Sequence, residues 1–173
     1  MCIRDRPDLS WLASDKENQS IKNKDIVLVI PGVSKSGRAK QWSPDKYQKL
    51  CSILESKGYY ICLVGTKHDA LSFQPILNSC KNIINLIDRS PPEIIYTVAS
   101  KSKLIISNDT GPGHIAALSK NNTLWLALNN NVTKANLSFR QNSYLLLKDN
   151  MEDLSVNEVK DCIIKNKLLD KVE

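Results

Sequence analysis

The sequence predicts an α/β domain, a Rossmann-like parallel β-sheet flanked by helices. Two observations carry that prediction. Short segments such as Ile26 to Ile30 are apolar at every position, which marks strands buried on both faces. Between them run longer segments with apolar residues at i, i+3, i+4 and i+7, the period of a helix covering such a sheet.

The elements follow in order. Ile26 to Ile30 is the first strand, closed by Pro31-Gly32. Ser43 and Pro44 open a helix as cap and first residue, Tyr47, Leu50, Cys51 and Leu54 form its apolar face, and Gly58 ends it. Tyr60 to Val64 is the second strand. Residues 69 to 80 form a helix disturbed at Pro75. Ile83 to Ile87 is the third strand. Ser90-Pro91-Pro92-Glu93 reads as a capping box that starts a helix running to about Ser100. Leu104 to Ser107 is a strand, Gly113 to Lys120 a helix and Thr123 to Leu128 a strand. An asparagine-rich loop follows, then a strand from Tyr144 to Leu147. A second capping box, Ser155 to Glu158, opens a last helix with Val159, Cys162 and Ile163 on one face. Residues 1 to 24 are polar and irregular, with Trp11 and Leu12 available for packing. They are read as a linker or remnant, and residues 25 to 173 as one domain.

Composition narrows the function. The chain has 173 residues, 42% hydrophobic and 24% charged, the balance of an ordinary globular domain. No apolar run approaches the roughly 20 residues of a membrane-spanning helix, and the opening Met1 to Arg6 lacks a signal-peptide core, so a cytoplasmic protein is expected. Five cysteines without a paired spacing read as structural filler. Two histidines far apart make no metal site. The net charge of +6 suits anionic partners. The lysines are scattered along the sequence and aromatic residues make up only 6%, so no nucleic acid partner is expected.

In an open parallel sheet, ligands bind beyond the carboxyl ends of the strands. The unusual residues fall there: Gly32, Ser34 and Lys40 after the first strand, Gly65, Thr66 and Asp69 after the second, Asp88, Arg89 and Ser90 after the third. Asn108 to His114 follow the fourth. That last segment runs from a strand through small residues into a helix start, where unpaired N–H groups can receive a diphosphate. Thr110 adds a hydroxyl, Gly111 allows close approach, and His114 stands in reach of a phosphate or a ribose. Asp109 would repel phosphate and is better suited to sugar hydroxyls. Lys40 can set a point charge against a phosphate, and Asp69 can hold a ribose. Each has a plainer alternative: Asp109 or Thr110 as a helix cap, Asp69 as another, Lys40 as a solvated loop residue, His114 as a packed or surface histidine. Trp42 reads as a packing anchor for its loop. The glycine fingerprints GxGxxG and GxxxxGK[ST] are absent.

Taken in order, Ile30-Pro31-Gly32, Lys40-Gln41-Trp42-Ser43-Pro44, Leu63-Val64-Gly65 with Asp69, Asn85-Leu86, and Ser107 to Ala117 resemble the C-terminal half of the family 9 glycosyltransferases, which include lipopolysaccharide heptosyltransferases. The resemblance covers about residues 25 to 169 and implies the C-terminal half of a GT-B fold. It implies transfer of a sugar from a nucleotide-sugar donor, ADP-linked, to a lipopolysaccharide-type acceptor, with the donor as substrate and no separate cofactor. Ser34 and Lys40 would approach the phosphates, Asp69 the ribose, and Asp109, Thr110, Gly111 and His114 would line the donor site. Asp88 would bring a carboxylate near that pocket. The acceptor and the catalytic base belong to an N-terminal domain, for which residues 1 to 24 are too short, so a fragment inactive alone is expected. Peripheral contact with the inner face of the inner membrane fits such an acceptor. The alternatives are a stand-alone nucleotide-binding or partner-binding module, and half of another GT-B enzyme such as a nucleotide-sugar epimerase.

Overall fold

The structure is a computed structural model, and it describes residues 21–137 and 142–172. Six strands form one parallel sheet: β1 (Ile26–Ile30), β2 (Tyr60–Leu63), β3 (Ile83–Asn85), β4 (Leu104–Asn108), β5 (Thr123–Leu128) and β6 (Ser143–Lys148). Their order is β3-β2-β1-β4-β5-β6, every neighbour pair being parallel. The chain builds outward from β1 to β3, then returns to place β4 on the other side of β1. The helices are α1 (Pro44–Ser56), α2 (Ala70–Ser79), α3 (Pro92–Lys101), α4 (Gly111–Ala116), α5 (Asn131–Leu137) and α6 (Val156–Lys165).

Alternation along the strands sorts the core into two faces, because successive side chains point to opposite sides. Val27 and Val29 pack with Leu50 and Leu54 of α1, Phe73 and Ile76 of α2, and Val159 and Ile163 of α6. Ile26, Leu28 and Ile30 point the other way, toward Ile94, Ile95 and Val98 of α3 and Ala116 of α4. A smaller cluster joins Trp125 and Ala127 to Leu137 of α5. Ile21, ahead of β1, is buried in the second cluster. Cys51, Cys62 and Cys80 are buried and serve as small hydrophobes.

Several elements differ from expectation. Helix α3 is capped by Pro91 without any side-chain bond, so Ser90 forms no capping box. The cause is the Pro-Pro step: Pro92 forces Pro91 into extended backbone at ψ 166°, and the helix cannot start until Pro92. Helix α2 passes Pro75 and runs from Ala70 to Ser79. Helix α4 starts earlier, at Gly111, and gives way to a 3-10 turn over Ala117–Ser119. The asparagine-rich segment is not all loop. Asn130 Oδ1 accepts the Thr133 N–H at 2.9 Å, and α5 begins beside it. The capping box at Ser155 and Glu158 is present. Trp11 and Leu12 lie outside the described residues.

Candidate functional site

The loops that leave β1, β2 and β4 meet at the carboxyl edge of the sheet, around the point where the strand order reverses between β1 and β4. They enclose a cavity of about 730 Å³, within the range of small-ligand sites. Its lining includes Gly32, Ser34, Arg38 and Lys40 after β1, Thr66, His68 and Asp69 after β2, and Asp109, Thr110 and Gly111 after β4. The loop after β3 is not part of it. Asp88 is not among the lining residues: its carboxylate accepts the Lys67 N–H at 2.8 Å, beside the lining residues Thr66 and His68, while Arg89 donates to the Asn85 carbonyl.

Each polar residue is held by local chemistry. The segment after β1 closes into a 3-10 turn, Lys35–Lys40, which lifts Lys40 over the cavity. Lys40 Nζ lies 3.4 Å from Asp109 Oδ2. The Asp109 side chain is only 11% exposed, and its other oxygen lies 2.9 Å from His114 Nε2. Asp109 thus faces a cation on one side and an imidazole on the other. The His114 ring leans on Trp125 with centroids 5.2 Å apart. His114 does not line the cavity and reaches it through Asp109.

Thr110 is the N-cap of α4, its hydroxyl accepting the Gly113 N–H at 3.4 Å, as the capping alternative foresees. That leaves the Asp109 carboxylate to Lys40 and His114. Helix α4 spans six residues, so its dipole is small, and positive charge in the cavity comes chiefly from Arg38 and Lys40. Gly111 is exposed at the cavity wall, and a Cβ added there would meet nothing within 4 Å.

Asp69 combines both of its readings. It forms a capping box with Thr66, whose hydroxyl donates to Asp69 Oδ2 at 3.0 Å, and it also lines the cavity. Gly32 makes room for it, since a Cβ on Gly32 would stand 2.7 Å from Asp69 Cγ. Trp42 is fully buried and its indole donates to the Leu154 carbonyl at 2.8 Å, the packing anchor expected of it.

Sequence reasoning passed over Arg38, Gln41 and Ser72. Arg38 shares the glycine-containing loop of Lys40, which is a legible signal. Gln41 donates to the Pro31 carbonyl at 3.2 Å and to the Ser72 hydroxyl, tying the loop to α2. Nothing in the sequence marks that contact.

Strand order and cavity together define a Rossmann-like α/β domain with its polar site at the switch point of the sheet. The chain belongs to glycosyltransferase family 9 (heptosyltransferase), whose family model matches residues 6–146. It is 34% identical over 101 residues to lipooligosaccharide heptosyltransferase 2 of Haemophilus ducreyi, covering 56% of this chain and 29% of that protein. The structure of ADP-heptose lipopolysaccharide heptosyltransferase II from E. coli superposes with a TM-score of 0.69 at 17% identity, over 90% of this chain and 53% of that one. E. coli heptosyltransferase WaaC solved with ADP gives 0.71 at 18% identity, over 83% and 44%. The fold is therefore that of one Rossmann-like half of the GT-B heptosyltransferases, and the chain spans about half the length of these structures or less. None of the described helices is long and apolar enough to cross a membrane.

Proposed function

We propose that residues 25 to 173 form the donor-binding domain of a heptosyltransferase-like enzyme, and that residues 1 to 24 link it to the rest. The donor is a sugar joined to a nucleoside diphosphate, with ADP as the nucleotide, and the acceptor is a lipopolysaccharide core or a related saccharide. The observation that carries this reading is the meeting of Lys40, Asp69, Asp109 and Gly111 around one cavity, in a chain of this family.

In this reading Lys40, with Ser34, receives the diphosphate. The bond between the sugar and the diphosphate breaks as an acceptor hydroxyl attacks, and negative charge grows on the departing phosphate. A fixed ammonium beside it stabilises that charge more in the transition state than in the ground state. Asp69 accepts hydrogen bonds from the ribose hydroxyls. Asp109, steadied by His114, accepts from the transferred sugar. The acceptor and the base that takes its proton are assigned to the half of the enzyme that the relatives have beyond this span. A cytoplasmic location, at the membrane face where such acceptors are built, fits this role.

Gly111 gives a clean test. Its missing Cβ points into open space, so Gly111→Ala keeps the fold, yet the methyl group occupies room that a phosphate needs. Calorimetric titration with ADP should show binding by the wild-type protein and a loss of about tenfold in Gly111→Ala, on the order of a misplaced charge-assisted contact, with an unchanged melting temperature. Equal ADP affinity in the two proteins would place the diphosphate elsewhere.

A further inference from the structure

Lys40 stands over the cavity on a loop that no strand pairing holds. Besides the Gln41 tie to α2, Asn108, the last residue of β4, holds that loop to the sheet. Its side chain is fully buried. Its Oδ1 accepts the Trp42 N–H at 3.2 Å, and its Nδ2 donates to the Pro31 carbonyl at 3.0 Å. Those two partners bracket the loop: Pro31 directly follows β1, and Trp42 stands two residues before α1. One amide therefore fastens both ends of the Lys40 loop to the end of β4. The next residue, just past β4, is Asp109, whose carboxylate lies 3.4 Å from Lys40 Nζ.

The chemistry explains why an amide is needed. The two loop groups are one donor and one acceptor, so their partner must accept and donate from the same side chain. A carboxylate could satisfy Trp42 but not Pro31, and an apolar residue could satisfy neither. A buried amide is costly unless its hydrogen bonds are made. Here they are made to the loop and to nothing else among the described residues, which is a use in positioning rather than in core packing.

We propose that Asn108 is a positioning residue: it holds the Lys40 loop so that the ammonium faces the space of the donor diphosphate. This rests on the donor-site reading above. Asn121 is a control away from the cavity: at the opposite edge of the sheet its half-buried amide donates to the Ala99 and Ser102 carbonyls at the end of α3, at 2.8 Å each.

The experiment is a double-mutant cycle read by ADP titration of the full chain. Lys40→Ala should weaken ADP about tenfold and Asn108→Ala by a similar factor, whereas the double variant should be little worse than either, because coupled residues are not additive. The salt dependence of ADP binding should flatten in Asn108→Ala as it does in Lys40→Ala, since both remove the same charge from the ligand. Asn121→Ala should lower the melting temperature and leave both affinity and salt dependence alone. If Asn108→Ala does not fold, Asn108→Ser, which is uncharged and too short to span both partners, carries the same cycle. Additive losses, about a hundredfold in the double variant, or an equal loss in Asn121→Ala, would overturn the positioning role. Failure of the wild-type protein to bind ADP at millimolar concentration would instead overturn the donor-site reading and the positioning role with it.

Discussion

Asp109 and Lys40 stand 69 positions apart in sequence and 3.4 Å apart in space. The sequence shows the type of each side chain and the strand edge to which each belongs. It cannot show that Thr110 takes the cap and so leaves Asp109 to the lysine and the histidine, because both residue types cap helices equally well. Asn108 was legible still less: a polar residue at the end of an apolar strand looks like the first residue of a loop, and only the fold reveals its two partners. Tyr47 is a different case. Its position on the apolar face of α1 is plain from the period, and the ring is fully buried against Trp42 with centroids 4.9 Å apart. Its hydroxyl, however, is buried without a hydrogen-bond partner among the described residues, and burial pushes its pKa well above the usual phenol value. An unpaired buried hydroxyl costs about 1–3 kcal/mol. Tyr47→Phe removes that oxygen while keeping the ring, and urea denaturation should show a protein at least as stable as wild type. A clear loss of stability would mean that the hydroxyl has a bonded partner.

At the scale of elements, capping is legible where a Ser-x-x-Glu pair stands free of proline, whereas beside proline Ser43 holds the N-cap position of α1 without a side-chain bond and Ser90 is displaced from that of α3. Ser155 and Glu158 make the reciprocal bonds that their spacing predicts: Glu158 N–H to Ser155 Oγ at 3.1 Å, and Ser155 N–H to Glu158 Oε2 at 2.9 Å. Ser90 with Glu93 has the same spacing, but two prolines between them fix the backbone first. Asn129 to Asn131 looked like loop because asparagine is a poor helix former, yet it is also a good cap, and Asn130 serves as one for α5. The α6 box has a pH signature. The Lys148 ammonium, 2.7 Å from Glu158 Oε1, together with the Ser155 bonds, lowers the Glu158 pKa from 4.5 to about 2. A carboxyl whose folded pKa lies below its unfolded value adds stability above the unfolded pKa, and that stability is lost as pH falls through the folded one. The Glu158 side chain is 43% exposed, so solvent screening keeps the gain below about 1 kcal/mol. Glu158→Gln retains the cap and removes the charge. Its melting temperature at pH 7 should fall below wild type by no more than about 2–4 °C. The gap should narrow below pH 4.5 and close near pH 2. A gap independent of pH would trace the loss to packing instead.

For the whole molecule, a parallel sheet turns sequence order into two chemically distinct edges. Every strand runs the same way, so the segments that feed strands gather at one edge and the segments that leave them at the other. Many of the lysines that look scattered in the sequence lie at the feeding edge: Lys22 and Lys24 before β1, Lys57 before β2, Lys81 before β3, Lys101 and Lys103 before β4, Lys120 before β5. Acidic residues sit in the first turns of helices at the other edge, as with Asp45, Glu93 and Glu158. Helix dipoles favour Lys57 and Lys101 at the ends of α1 and α3, and the carboxylates at helix starts. The net charge of +6 is therefore largely a charge of the edge away from the cavity, and composition alone misplaces it. The consequence for binding follows from distance. A five-residue strand such as β1 separates the edges by about 17 Å, twice the screening length of about 8 Å at physiological salt. Lys57→Glu should cost about 0.3–1 kcal/mol by opposing the end of α1, and Lys120→Glu, which follows the short α4, less than that, both measured by denaturation. Neither should change ADP affinity beyond about twofold at that ionic strength. Lys40→Ala, on the cavity edge, should show the reverse: little change in stability and a marked loss of ADP. If the Lys57 and Lys120 variants weakened ADP as much as Lys40→Ala does, the anion would be drawn by the whole basic surface, and the cavity edge would lose its claim to the phosphate.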